Sequence, residues 1–342
     1  MGNTSAVESK NKQLVIRNRL LERQASQHLQ IDQVTRSKIA DVKKNHKYTN
    51  LIFAGSAVKS LAYVGALGYL HDKHYLANIC NIACSGFSTF FAVLYSIGYS
   101  PPELKQIAEL LDLHSIISKD VPLVSDIFHV ASSEYGLNNG QHLMDTIADL
   151  IERKTGRKHY NMEDLLKEKG INLVATVADL TSGSVLYFWH RDYPKLPLRI
   201  LVRMACCTPL VYAPVIFDGH YLADSLVIDR CPIRIFDGST PADPGSEENP
   251  YTLCLLTIGD LPMDNDMGSR KPDNTHNVLS YLSSIVNTMS ESITMADQRP
   301  SFWLRTAPIH VPCYPMCHYN ITQTQKLELM SLGYSEMRKF LD

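Results

Sequence analysis

Ala83-Cys84-Ser85-Gly86-Phe87-Ser88 joins a short apolar strand, Ile79 to Cys84, to a helical stretch from Ser88 to Ile97 that stops at Gly98. A strand that turns sharply into a helix pushes the residue at the turn toward positive φ, a strain of about 1–3 kcal/mol for a residue with a Cβ. The residue at this turn is Gly86, which adopts that conformation freely. Where such a turn carries chemistry, its central side chain is the nucleophile, and Gly86 offers none. The nearest hydroxyls are Ser85 and Ser88. Alternation along a strand predicts Ser85 on the side away from position 86, and Ser88 falls in the first helical turn.

The same texture extends in both directions. Asn50 to Ala54 is a short apolar strand followed by the small-residue turn Gly55-Ser56-Ala57 and a helical pattern from Ser60 to Tyr69. Ser100-Pro101-Pro102-Glu103 reads as a capping box with Pro at the first helical position, opening a helix through Leu104, Ile107 and Leu111. Asn172–Ala178 and Ser184–Trp189 read as strands joined by Thr181-Ser182-Gly183, and Tyr251–Ile258 as a further apolar strand. Apolar runs alternating with helices predict an α/β fold with a mostly parallel sheet covered on both faces. The stretches 236–250 and 259–276 are polar, glycine- and proline-bearing, and read as loops.

The 342 residues are 45 % hydrophobic and 20 % charged, the composition of a globular chain with one large core. A formal net charge of −2 argues against a nucleic-acid partner. Eight cysteines without regular spacing or a leader-like apolar segment point to reduced thiols in a cytoplasmic setting. Apolar runs of about ten residues are too short to cross a bilayer. His310, Cys313, Cys317 and His318 lie close together, but their spacing matches no standard zinc motif and two prolines interleave them, so no metal and no cofactor is expected.

Residues 1–46 form a basic, partly helical arm with nine Lys and Arg against four acids, ahead of a domain spanning 47–342. Helix-spaced apolar residues such as Ile31, Val34, Ile39 and Val42 predict packing on the body. A sharper reading starts from Met1-Gly2-Asn3-Thr4-Ser5-Ala6, which resembles an N-myristoylation signal at Gly2 except that Ala6 lacks the hydroxyl. One acyl chain plus the neighbouring Lys10, Lys12, Arg17, Arg19 and Arg23 would suffice for peripheral attachment to an anionic membrane.

Four blocks, Leu51 to Tyr63, Ile82 to Ser88, Ala178 to Gly183 and Tyr221 to Ser225, together with Cys207-Thr208-Pro209, resemble in order and spacing the patatin-like phospholipase family. The similarity covers about residues 50–235, leaving a C-terminal strand and helices in 251–342. It implies a three-layer α/β/α, lysophospholipase-like fold. It also implies a Gly-rich oxyanion loop, a Ser in Gly-x-Ser-x-Gly as nucleophile, and an Asp as its base, with no His required. The oxyanion loop falls on Gly55, Ser56 and Ala57, with the family's basic position at Lys59. The nucleophile falls on Gly86, flanked by Cys84 and Ser88 in place of glycines. The base falls on Asp224, expected just before an apolar strand ending at Pro232.

Asp224 alone of the reacting pair is retained. The resemblance therefore implies a hydrolase scaffold without its nucleophile, acting by binding lipid, a membrane surface or a protein partner. The alternative is an acyl hydrolase in which a displaced Ser85 or Ser88 pairs with Asp224. In a silent site Asp224 would serve equally well as a cap on the local backbone, and Lys59 as a surface charge at a helix start.

Overall fold

In the computed structural model, residues 33–118, 135–243, 245, 247–260, 285–286, 288–290, 292–293, 301–312, 314 and 320–342 are described. Gly2 and the first 32 residues of the arm lie outside them, as do Cys313, Cys317 and His318. Helix α1 (Gln33–Lys44) turns Ile39 and Val42 inward, Val42 joins the main core, and Lys43 Nζ donates to the carbonyl of Phe340. Of the four residues whose spacing predicts this packing, Ile39 and Val42 are buried, Val34 is exposed and Ile31 lies outside the described residues.

The chain then alternates. Strand β1 (Asn50–Phe53) leads through a 3-10 turn (Ala57–Ser60) into α2 (Leu61–Asp72), and β2 (Asn81–Ser85) into α3 (Ser88–Ser96). Helices α4 (Pro101–Leu110) and α5 (Leu113–Ser118), the short β3 (Gly136–Asn138), α6 (Gln141–Thr155) and α7 (Met162–Lys169) come next. Strands β4 (Asn172–Asp179) and β5 (Ser184–Trp189) precede α8 (Leu198–Ala205), β6 (Leu210–Tyr212), β7 (Val215–Phe217) and β8 (His220–Asp224). The chain closes with β9 (Thr252–Asp260), the one-turn α9 (Phe302–Arg305), β10 (Thr306–Pro312) and α10 (Gln323–Leu341).

The start of α4 follows its sequence signal: Ser100 and Glu103 exchange both capping-box bonds behind Pro101. Asn161 and Asp164 do the same for α7, and Thr322 and Gln325 for α10. The eight-stranded sheet runs β10-β9-β1-β2-β4-β8-β7, with β5 paired to β4. Its β10-to-β4 portion is parallel, while β5, β8 and β7 pair antiparallel. Residues at alternate positions face opposite sides. Leu51, Phe53, Ile82, Cys84, Leu173 and Ala175 join the large core beneath the helices, whereas Ile52, Ala54, Ala83 and Val174 meet a smaller cluster with Cys231, Ile233, Ile235 and Phe302.

Two expectations are corrected. The strand at Asp224 precedes it rather than following it: β8 ends there, and Ser225–Val227 is a 3-10 turn. Strand β9 also runs two residues past Ile258, because β10 pairs with it as far as Asp260. Strand β10 carries Pro308 and Pro312 and lies at the sheet edge, where a missing N–H is tolerated.

Candidate functional site

Strand β4 has two partners along a single edge. Opposite β5, its lower half pairs with β2 as far as Thr176↔Ser85, and its upper half pairs with β8 from Val177↔Asp224. The parallel β2 and the antiparallel β8 therefore meet end to end, bringing Ser85-Gly86 against Asp224-Ser225.

At that junction Gly86 has φ +58°, so the strained turn conformation read from the sequence is present and glycine relieves it. Its carbonyl accepts from Thr89 N at 3.0 Å and from Cys206 Sγ at 3.6 Å. A Cβ built on Gly86 would lie 2.8 Å from both carboxylate oxygens of Asp224, closer than real Cβ contacts come. The carboxylate fills the place a nucleophile's side chain would take.

Asp224 is 2 % exposed. Its Oδ1 accepts from Leu226 N at 2.9 Å, its Oδ2 from Thr208 Oγ1 at 3.4 Å, and its own N–H donates to Cys207 O at 2.8 Å. Burial pushes the carboxyl up to about 7, opposed by the Leu226 and Thr208 hydrogen bonds and the charge of Arg230. Asp179, the last residue of β4, shows the opposite design. It accepts from Ser182 Oγ, from Thr181 N at 2.9 Å and from His220 Nδ1 at 2.8 Å, and these bonds, Ser182 foremost, hold its carboxyl down at about 2. Asp179 is built to be an anion; Asp224 is not.

Both alternative serines are fully buried. Ser85 Oγ shares a 2.9 Å hydrogen bond with Ser225 Oγ, which in turn lies 2.7 Å from Thr176 Oγ1. Ser88 Oγ lies 2.9 Å from Phe53 O and 2.6 Å from Ser85 O, donating to backbone at the start of α3. These contacts turn both hydroxyls toward structural partners, and the hydroxyl that meets Asp224 is that of Thr208, which sequence reasoning quoted only as part of a block.

The loop expected to supply oxyanion donors is bound internally. Gly55 N donates to Arg230 O at 2.8 Å, and Arg230 returns Nε to Gly55 O at 2.6 Å and Nη2 to Thr257 O at 2.8 Å. Ser56 Oγ joins a buried hydroxyl group with Tyr63 and, at 2.7 Å, Thr257. Ala57 takes φ +46°, an unusual conformation for a residue with a Cβ. Lys59 is buried in the 3-10 turn rather than a surface charge at a helix start, with its N–H on Ser56 O at 3.0 Å. Sequence reasoning did not single out Arg230. No local pattern marks an arginine that reaches the other end of the domain's motif. Among the described residues no group of three or more metal-capable side chains occurs.

A mostly parallel sheet, a strand-to-helix elbow and a buried Asp facing its apex define the class of hydrolase scaffold that pairs a turn nucleophile with a carboxylate. The model of the patatin-like phospholipases matches residues 51–237, more than half of the chain, and the chain belongs to that family. An uncharacterized protein of Acanthamoeba polyphaga mimivirus is 24 % identical over 292 residues, covering 85 % of this chain and 92 % of its own. VipD from Legionella pneumophila shares the fold, with a TM-score of 0.56 at 12 % identity over 86 % of this chain and 67 % of VipD. The heterodimeric ExoU–SpcU complex of Pseudomonas aeruginosa gives a TM-score of 0.49 at 16 % identity, covering 86 % of this chain and 51 % of the matched one.

Proposed function

We propose that this protein is a patatin-fold protein that does not hydrolyse acyl esters and acts by binding lipid at a membrane surface or a protein partner. The observation that carries the reading is the Asp224 carboxylate seated where a Cβ on residue 86 would meet it at 2.8 Å, with the serines on either side committed to other hydrogen bonds. A hydroxyl attacks an ester only when a base is in reach and donors face the developing oxyanion. Here the base has no hydroxyl on the turn, and Gly55 is clasped by Arg230.

The binding half of the proposal is supported by an apolar rim beside β8. Tyr135, Leu180, Ile216 and Tyr221 are all exposed. Ile216 pairs with Tyr221 across β7 and β8, the rings of Tyr135 and Tyr221 lie 6.2 Å apart, and Leu180 N donates to Tyr221 O. Exposed aliphatics grouped with tyrosines suit an interface that is apolar on one side and wet on the other. Acylation of Gly2 and a cytoplasmic, peripheral location belong to the same proposal, and the intact mass of the natively expressed protein tests the acylation.

Fluorophosphonate labelling and an esterase assay, run beside an active patatin, test the catalytic half. No label and no turnover are expected on folded protein, and label at Ser85, Ser88 or Thr208 would sink it. Restoring the nucleophile with Gly86→Ser is expected to yield no useful turnover. It should also destabilise the fold by about 2–4 kcal/mol, from positive φ and from overpacking against Asp224. Substantial hydrolysis by that variant would show that the loop and the carboxylate still work. For the binding half, Ile216→Ser with Tyr221→Ser is expected to lower co-sedimentation with vesicles several-fold while leaving the fold intact. Unchanged sedimentation would move the contact to the arm, which deletion of residues 1–46 tests separately.

A further inference from the structure

The segment that clasps Gly55 continues directly into Cys231, whose Sγ lies 3.2 Å from the Sγ of Cys254, the third residue of β9. Both are free thiols. We propose that Cys231 and Cys254 are a modification site: a dithiol that peroxide closes to a disulfide, tying the Arg230 segment to the central sheet beside Gly55. The inference goes beyond the binding role above and is independent of it.

The backbone sets the approach. Arg230 is bound through its carbonyl to Gly55 N and through its guanidinium to Gly55 O and Thr257 O. Thr257 is three residues along β9 from Cys254, and Cys254 is in register with Ile52 of β1. These bonds hold the segment that carries Cys231 against the strand that carries Cys254. A disulfide needs the sulfurs at about 2.05 Å, a closure of about 1 Å from their present separation. The surroundings suit the product. Ile52, Ala54, Ile233 and Phe302 form a dry pocket around the pair, in which a neutral disulfide loses no charge-stabilising partner.

The two thiols are not equivalent. Cys254 is 0 % exposed and Cys231 7 %, so the residue nearer the surface, Cys231, takes the first step once its segment opens. The Cys254 contact and burial push the Cys231 thiol well above its ordinary range, so the reaction proceeds slowly, through transient opening of the segment. The Cys231 sulfur displaces water from hydrogen peroxide to give a sulfenic acid. Cys254 then attacks that sulfur and releases a second water. Two thiols are oxidised, one peroxide is reduced to two waters, and no further reactant is needed. Cys206 and Cys207, although adjacent, direct their thiols to Gly86 O and Ala213 O and are not poised in this way.

The test treats the folded full-length chain with hydrogen peroxide, alkylates the remaining thiols under denaturing conditions, and maps the peptides by mass spectrometry. The expected product is a peptide linked through Cys231 and Cys254, two hydrogens lighter than the sum of its parts and split by dithiothreitol. The bridge closes a chain loop of about 24 residues, so Tm should rise by about 5 °C. Cys254→Ala should abolish both the linked peptide and the rise. Full alkylation of Cys231 and Cys254 after peroxide, with the exposed Cys80 oxidised instead, would overturn the proposal. So would a linked peptide with no change in Tm, because the bridge would then not be restraining the Arg230 segment. The mapping on unmutated protein stands even if the variant misfolds.

Discussion

Asp224→Asn is expected to remove a pH dependence from the stability of this protein. Asp224 titrates at about 7 in the folded chain against an ordinary value of 3.8. Between those values the native state holds a proton that the unfolded state has released, so stability is fully present below about pH 4 and is lost as the pH rises through 7. From pH 5 to pH 8 the carboxyl alone withdraws about 2.5 kcal/mol. The Asp224→Asn variant keeps an acceptor oxygen for Leu226 N, turns an amide N–H toward the Thr208 hydroxyl oxygen in place of the second acceptor, and has nothing to ionise. Denaturant unfolding of both proteins at pH 5 and pH 8 should therefore show the variant gaining on the parent by that amount at the higher pH. Parallel pH profiles would mean that solvent or a cation reaches the carboxylate, and the description of a buried carboxylate would fail. A working general base would gain little from such burial unless a hydroxyl lay in position to use it, which ties this measurement to the functional proposal.

The second large effect lies at the crossing of α2 and α10. A Cβ on Gly65 would sit 1.7 Å from Met330 O, and a Cβ on Gly333 would sit 1.7 Å from Ala62 O. Two helix backbones touch here at each other's glycines, with no flexible side chain to yield. Gly65→Ala and Gly333→Ala must each push the helices apart and should cost about 4 kcal/mol or more, at the extreme of single substitutions. Gly68 lies on the same helix and is an internal control. Its Cβ would meet Tyr334 at an ordinary 3.6 Å, so Gly68→Ala should be neutral or gain up to about 1 kcal/mol from helix propensity. Chemical denaturation of the three variants separates the close approach from helix propensity. Equal effects at 65 and 68 would refute the packing described.

Local chemistry made much of this fold legible. The α4 start was readable because Ser100, Pro101 and Glu103 satisfy orphan helix donors by themselves. The buried strands were readable because parallel strands covered on both faces are apolar without interruption, as at Leu51 to Phe53. Gly86 could be placed at a strained turn because strand and helix signals abut there. The end of β8 could not be placed the same way: Ser225 to Ile228 is as apolar and β-prone as a strand, and its 3-10 turn arises where Asp224 caps Leu226 N. Arg230 and Cys231 carried no signal because their partners, Gly55, Thr257 and Cys254, are distant in the chain.

The amino-acid sequence by itself determined the family, the α/β alternation, the absence of a side chain at position 86 and the presence of a carboxylate at 224, since each is a matter of residue identity, spacing and local backbone preference. The tertiary structure decided what those residues face. Because β2 and β8 share one edge of β4, Asp224 is delivered to the side of Gly86 where a Cβ would stand, Ser85 is turned to Ser225, and Arg230 is laid across Gly55. Pairings between segments about 140 residues apart, as for Ser85 and Ser225, come from burial and hydrogen-bond satisfaction across the whole sheet, which no local stretch of chain encodes.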